Sequence, residues 1–220
     1  MGAIGRQEAV RAWMRAIAAK GWHGATVRDA AEGSPDLAAA DLVEALADKL
    51  DALAALFDQA AARAAQTAAA ADGVREALFD GVMAGFDVLQ PHRDGLLAIR
   101  AARDPGVALL LAGRAGPAVR RLASAAGMGT TRLADQVRLA ALTALIGRAA
   151  ATWLDDDSPD MAATMAELDR LLARAERAAT EGPSLDLLGL PGLSRLFDRF
   201  RPGAAPPDPA RPRAPARPGE

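Results

Sequence analysis

The 220-residue chain has no cysteine and no tyrosine, and only two histidines, His23 and His92. Without cysteine there is no disulfide, no thiolate metal ligand and no thiol nucleophile. That composition fits a reducing cytoplasm, which is the expected location. Aromatic residues are 4 % of the chain, so its apolar half rests on aliphatic side chains and alanine. Alanine-rich helices form readily and pack closely, but each buries little area, which favours pooling cores between subunits. The net charge of −2 exerts no long-range pull on nucleic acid. No apolar run reaches membrane-spanning length, and the first residues lack the apolar core of a signal peptide. Arg6 stands where a myristoylation motif after Met1-Gly2 needs Ser or Thr. The histidines fall in different parts of the chain, and no phosphate-cradling glycine loop or nucleophile elbow is present. Asp155, Asp156 and Asp157 are consecutive, so they point in different directions and read as a solvated turn. No constellation supports an enzyme, a metal or a cofactor.

What is present is helical periodicity. Val10, Trp13, Met14 and Ile17 recur at i, i+3, i+4 and i+7, giving one apolar helix face. Lys20 and Gly21 close that helix, and Trp22-His23 turns the chain. Thr26 to Ala31 opens a short second helix, Gly33 to Asp36 breaks it, and Leu37 to Leu46 forms a third. Asp48 to Leu53 begins a long fourth helix with Leu50, Leu53, Leu56 and Phe57 on one side.

Lys20-Gly21-Trp22, Thr26-Val27-Arg28-Asp29-Ala30-Ala31 and Leu46-Ala47-Asp48-Lys49 occur in the order and approximate spacing of a TetR-type regulator's helix-turn-helix head. The chain resembles that family. The resemblance implies an all-α fold: a helix-turn-helix head over residues 1–48, then a helical ligand-binding and dimerisation domain over 49–181. It also implies a repressor-like function, with Thr26, Arg28 and Lys49 on DNA phosphates, and Ala38, Ala39 and Ala40 approaching base edges of a double-stranded operator. Departures from the pattern sit in the same head. Val43 and Leu46 replace the usual aromatic pair, and alanine makes no bidentate base contact. The first sixty residues carry Arg6, Arg11, Arg15, Lys20, Arg28 and Lys49 against nine carboxylates, including Asp36, Asp41, Glu44 and Asp48. DNA affinity rests largely on neutralising phosphates, and this head is acidic.

Beyond the head, the fourth helix runs to about Ala71, and Asp72-Gly73 interrupts it. A fifth carries Val74, Leu78, Val82, Phe86 and Leu89, and Pro91 ends it. Asp94 to Ala102 is a sixth. Asp104-Pro105 starts another, and Gly116-Pro117 starts the next segment. Thr130 to Leu154 and Met161 to Thr180 are the two long final helices, with Ser158 as N-cap and Pro159 at the first position of the second. The resemblance implies that these two pair with their copies in a homodimer. An intramolecular hairpin is the plain alternative. The resemblance also places a ligand cavity among the fifth to eighth helices. Leu78, Val82, Met83, Phe86, Leu89, His92, Leu96, Ile99 and Leu110 are candidate walls for a small apolar ligand, and each is first a core candidate.

Trp153-Leu154-Asp155-Asp156-Asp157-Ser158-Pro159-Asp160, with Thr164 and Leu168-Asp169-Arg170, carries a second, shorter resemblance. It is similar to the accessory proteins of ubiquinone synthesis that share the TetR fold and bind isoprenoid lipid. That likeness implies an alternative function, a lipid-binding accessory protein that has lost DNA binding. In residues 182–201, Leu193, Leu196, Phe197 and Phe200 form a short amphipathic stripe beside Arg195, Arg199 and Arg201. It suits docking on the protein or on a partner subunit, with an anionic membrane surface as the other reading. Residues 202–220 are nearly all Pro, Ala, Arg and Gly and read as a disordered tail.

Overall fold

The computed structural model describes residues 3–34 and 38–181. The expected amphipathic segment at 182–201, the tail at 202–220 and the first residue of the expected third helix, Leu37, lie outside the described residues. Those described are all helical, without a strand: α1 Ala3–Gly24, α2 Val27–Glu32, α3 Ala39–Ala45, α4 Lys49–Ala68, α5 Val74–Leu89, a 3-10 turn Gln90–His92, α6 Arg93–Ala102, α7 Pro105–Ala125, α8 Leu133–Asp155 and α9 Ala162–Glu181.

Local chemistry sets the head. Gly21 breaks α1 with φ 75°, a conformation that disfavours any side chain. Thr26 then caps α2 in a reciprocal box: its hydroxyl accepts from the Asp29 amide, and Asp29 accepts from the Thr26 amide at 2.9 Å. Val10, Met14 and Ile17 of α1 are buried with Leu42 and Leu46 beneath the head. One buried cluster continues from these residues into α4 to α9, so the core is not divided at residue 48.

Small residues set the spacing of the body. On α4, Ala60, Ala64 and Ala68 repeat every fourth residue and face Gly81 and Gly85 of α5. A Cβ built on Gly81 would lie 2.8 Å from the Ala64 carbonyl oxygen and 2.7 Å from Leu122 of α7. The α4–α5 contact is therefore backbone-close, and a Gly81→Val variant should lose about 2 kcal/mol of stability in urea unfolding. An unchanged midpoint would mean that the two helices can separate at no cost. A second close crossing joins head to body, where a Cβ on Gly95 of α6 would meet the Met14 carbonyl of α1 at 2.9 Å.

Three expected boundaries shift. No new segment begins at Gly116-Pro117, because α7 runs through Pro117. Proline there forfeits the bond to the residue 113 carbonyl, but Gly113 and Gly116 face open space, so the helix can bend and the carbonyl can be hydrated. Helix α8 begins at Leu133 rather than Thr130, because buried Asp135 folds back to accept from the amides of Thr131 and Arg132. Helix α9 begins at Ala162, later than a Ser158 cap with Pro159 at the first position would give. The Ser158 hydroxyl does accept from the Ala162 amide at 2.9 Å, but Met161 takes φ 54° and Asp156 receives the Thr164 amide at 2.7 Å.

Helix α8 has two faces. Leu139, Leu142, Ala149 and Trp153 are buried on the side that packs on α7 and α9, with Trp153 set against Phe86 of α5. Leu133, Val137, Ala140, Ala144, Gly147 and Ala151 are exposed, spaced by four, three, four, three and four residues. By length and composition α8 could cross a membrane, with mean hydropathy 1.3 over an 18-residue window that is only 22 % buried. No unbroken apolar run of that length is present, because Asp135, Arg138 and Arg148 fall within the helix. Its exposed side is therefore an apolar face that no other described element covers.

Candidate nucleic-acid interface and ligand site

The six residues expected at DNA lie on α2, α3 and the start of α4, but they are not equally free. The Thr26 hydroxyl is held by Asp29, and hydrogen bonds from that hydroxyl and from the Thr26 amide keep the Asp29 carboxyl below its ordinary range. Arg28 is exposed. Lys49 turns onto Trp22: its Nζ donates to the Trp22 carbonyl at 2.5 Å and sits 5.0 Å from the indole centroid. A cation held over a ring and a carbonyl braces the turn after α1. Ala38 occupies the cap position of α3, and its amide donates to Asp41 at 3.3 Å. Ala39 and Ala40 are exposed on the first turn, and Asp41, Val43 and Glu44 complete the open face. That face carries two carboxylates and no cation.

The candidate ligand walls divide. Leu78, Val82, Phe86 and Leu89 share the buried face of α5, with Met83 half-buried beside them. Phe86 stacks on Trp153 with ring centroids 5.5 Å apart, so neighbouring side chains fill the space around it. Leu96 and Ile99 are buried on α6, which packs chiefly on α1. Leu110 is half-buried on α7, and His92 is half-buried in the 3-10 turn. Open space of about 720 Å³ lies elsewhere, along α6 and the end of α8, lined by Leu97, Arg100, Ala101, Arg103 and Asp155.

The densest polar chemistry is the α8–α9 turn. Trp153 Nε1 donates to Gln90 Oε1 at 2.7 Å, and Arg93 donates to the Leu154 carbonyl at 2.9 Å. Each of the three aspartates has its own partner. Asp155 pairs with Arg100 at 2.8 Å, and Asp157 pairs with Arg93 at 2.8 Å. Asp156 is buried and accepts from the amide and hydroxyl of both Ser158 and Thr164. Burial alone would raise its carboxyl pKa. Those four hydrogen bonds outweigh it and hold the group well below the usual carboxylate range. The expectation of a merely solvated turn is thus corrected. Sequence reasoning missed Asp156; the signal was Ser158 two residues on and Thr164 eight residues on, either side of a helix start.

Further along α9, Glu167 binds Arg170 and Arg148, and Arg75 of α5 reaches Asp169 and Glu176. The residues of the second resemblance, from Trp153 to Arg170, therefore tie α5, the 3-10 turn and α6 to the final hairpin. No protein family, curated protein or solved structure matches the chain.

Proposed function

We propose that this chain is a TetR-like helical protein whose head has lost operator reading, and which acts as a homodimeric accessory protein binding an apolar, isoprenoid-like lipid. The observation that carries this reading is the open face of α3, with Ala39, Ala40, Asp41, Val43 and Glu44 where a DNA reader presents donors. A carboxylate pair repels phosphate, and this face has no cation to release counterions. The α8–α9 turn supports the accessory-protein side, because the residues that carry the second resemblance are bound into one joint. The uncovered face of α8 supports a second subunit.

A regulator is the second reading. It is favoured by the order of Lys20-Gly21-Trp22, the Thr26–Asp29 capping box and Lys49. Two measurements on the full chain separate them. Mass spectrometry of an apolar extract should find a stoichiometric isoprenoid. Fluorescence anisotropy with DNA flanking the coding region should show no salt-dependent binding. An empty protein that discriminates between DNA fragments would overturn the proposal. Arg28→Ala should then weaken binding evenly across sequences.

A further inference from the structure

The close crossing of α1 and α6 at Met14 and Gly95 gathers positive charge. Arg15 stands one position and Arg11 one turn from Met14, and His92 stands one turn before Gly95, so the crossing brings His92 within the electrostatic reach of both arginines. One Arg15 guanidinium nitrogen donates to the hydroxyl of buried Ser34 at 2.5 Å, which anchors that side chain. That contact uses one of five guanidinium N–H donors. Neither arginine lies within ion-pair distance of a carboxylate among the described residues, and the His92 ring makes no hydrogen bond among them. His92 is also the cap residue of α6, and its side chain caps no amide there, so the positive end of that helix adds to the same spot.

Among the described residues, the nearby carboxylate on α1 is the exposed Glu8, one turn before Arg11, and it forms no ion pair with either arginine. Arg93 is paired with Asp157 from the α8–α9 turn, and Asp94 is exposed in the first turn of α6. Two guanidinium groups without a carboxylate partner among the described residues, and an imidazole within their reach, repel one another as cations, and a bound dianion relieves that repulsion.

We propose that Arg11, Arg15 and His92 form an anion site that takes a phosphate monoester. Arg11 and Arg15 each direct N–H donors at the phosphate oxygens, and His92 supplies a third donor once protonated. The phosphate can belong to a soluble ester or to a lipid headgroup. The site stands independently of the lipid reading, since it uses the α1–α6 crossing alone.

His92 reports occupancy directly. In the free protein burial, then the charges of Arg11 and Arg15, hold its imidazolium below the ordinary histidine range. Phosphate offsets those charges, so His92 must take up a proton more readily when the site is filled. His23, the other histidine, is a built-in control: its side chain is 69 % exposed and 3.9 Å from Asp104. The test is a pH titration of both imidazoles by NMR on the full chain, in inorganic phosphate against chloride at equal ionic strength. The His92 midpoint should rise by about one unit in phosphate while His23 stays put. Arg11→Gln should abolish that rise and leave thermal unfolding unchanged, because Arg11 is exposed. Parallel shifts of both histidines, or a full His92 shift in Arg11→Gln, would overturn the site. Co-sedimentation with phosphatidic-acid vesicles but not phosphatidylcholine vesicles, lost in Arg11→Gln, assigns the phosphate to a headgroup. A His92 shift in free phosphate without vesicle binding assigns it to a soluble ester.

Discussion

Asp156→Ala should lower the stability of the folded chain by about 4 kcal/mol, read as a shift of the urea midpoint at constant slope. Among the described residues, the Asp156 carboxylate is the acceptor for both the Thr164 hydroxyl and amide, at 2.7 Å each, and Thr164 is fully buried. Removing it strands two buried donors, each costing about 1–3 kcal/mol. It also frees the Ser158 loop and uncaps the first turn of α9. The neighbouring Asp157→Ala is the control. Asp157 is 88 % exposed and its partner Arg93 keeps the Leu154 carbonyl, so the change should stay within about 0.5 kcal/mol. The same carboxylate writes an acid limb into the stability curve. Its folded pKa lies below its unfolded value, so its contribution is complete above the ordinary aspartate range and disappears as pH falls from about 4 toward the depressed folded value. Asp156→Asn should flatten that limb, since an amide does not titrate there. Equal losses for Asp156→Ala and Asp157→Ala would show that the turn is merely hydrated.

The head was legible because its signals are local. Gly21 needed only its own φ, and Thr26 with Asp29 needed only three residues of helix, so both follow from the sequence. The late start of α9 was not, because Asp156 reaches forward eight residues to Thr164. Three adjacent aspartates look alike in a sequence, and only the folded chain sets Arg100, Thr164 and Arg93 against them. The α5 stripe shows a different limit. Leu78, Val82, Phe86 and Leu89 read equally as packing or as a cavity wall. Which they become depends on what stands opposite, and Trp153 stacked on Phe86 was not legible from α5 alone. Lys49 is the third kind of case. Its position in the motif was readable, but its turn onto Trp22 was not, since that contact spans twenty-seven residues.

Ala144→Arg should convert the proposed homodimer to a monomer. The exposed residues Leu133, Val137, Ala140, Ala144, Gly147 and Ala151 alternate steps of four and three, a spacing that keeps one helix face against another. Leu133 is 84 % exposed and Val137 is 52 % exposed, which is costly for large aliphatic groups in water and is relieved if a copy of the same face covers them. The central alanines and Gly147 leave room for close helix approach, as Gly81 and Gly85 do inside the body. An arginine at 144 would meet its own symmetry copy near the two-fold axis, adding bulk and like charge together. Since Ala144 is exposed in the single chain and arginine is a good helix former, the variant should fold with wild-type helicity. Sedimentation velocity at tens of micromolar should give twice the 22.7 kDa chain mass for the wild type and the single mass for the variant, with dissociation favoured at least about a hundredfold. A wild type that sediments as a monomer at that concentration would refute the pairing. The exposed face of α8 would then have to be covered by a chemically different partner.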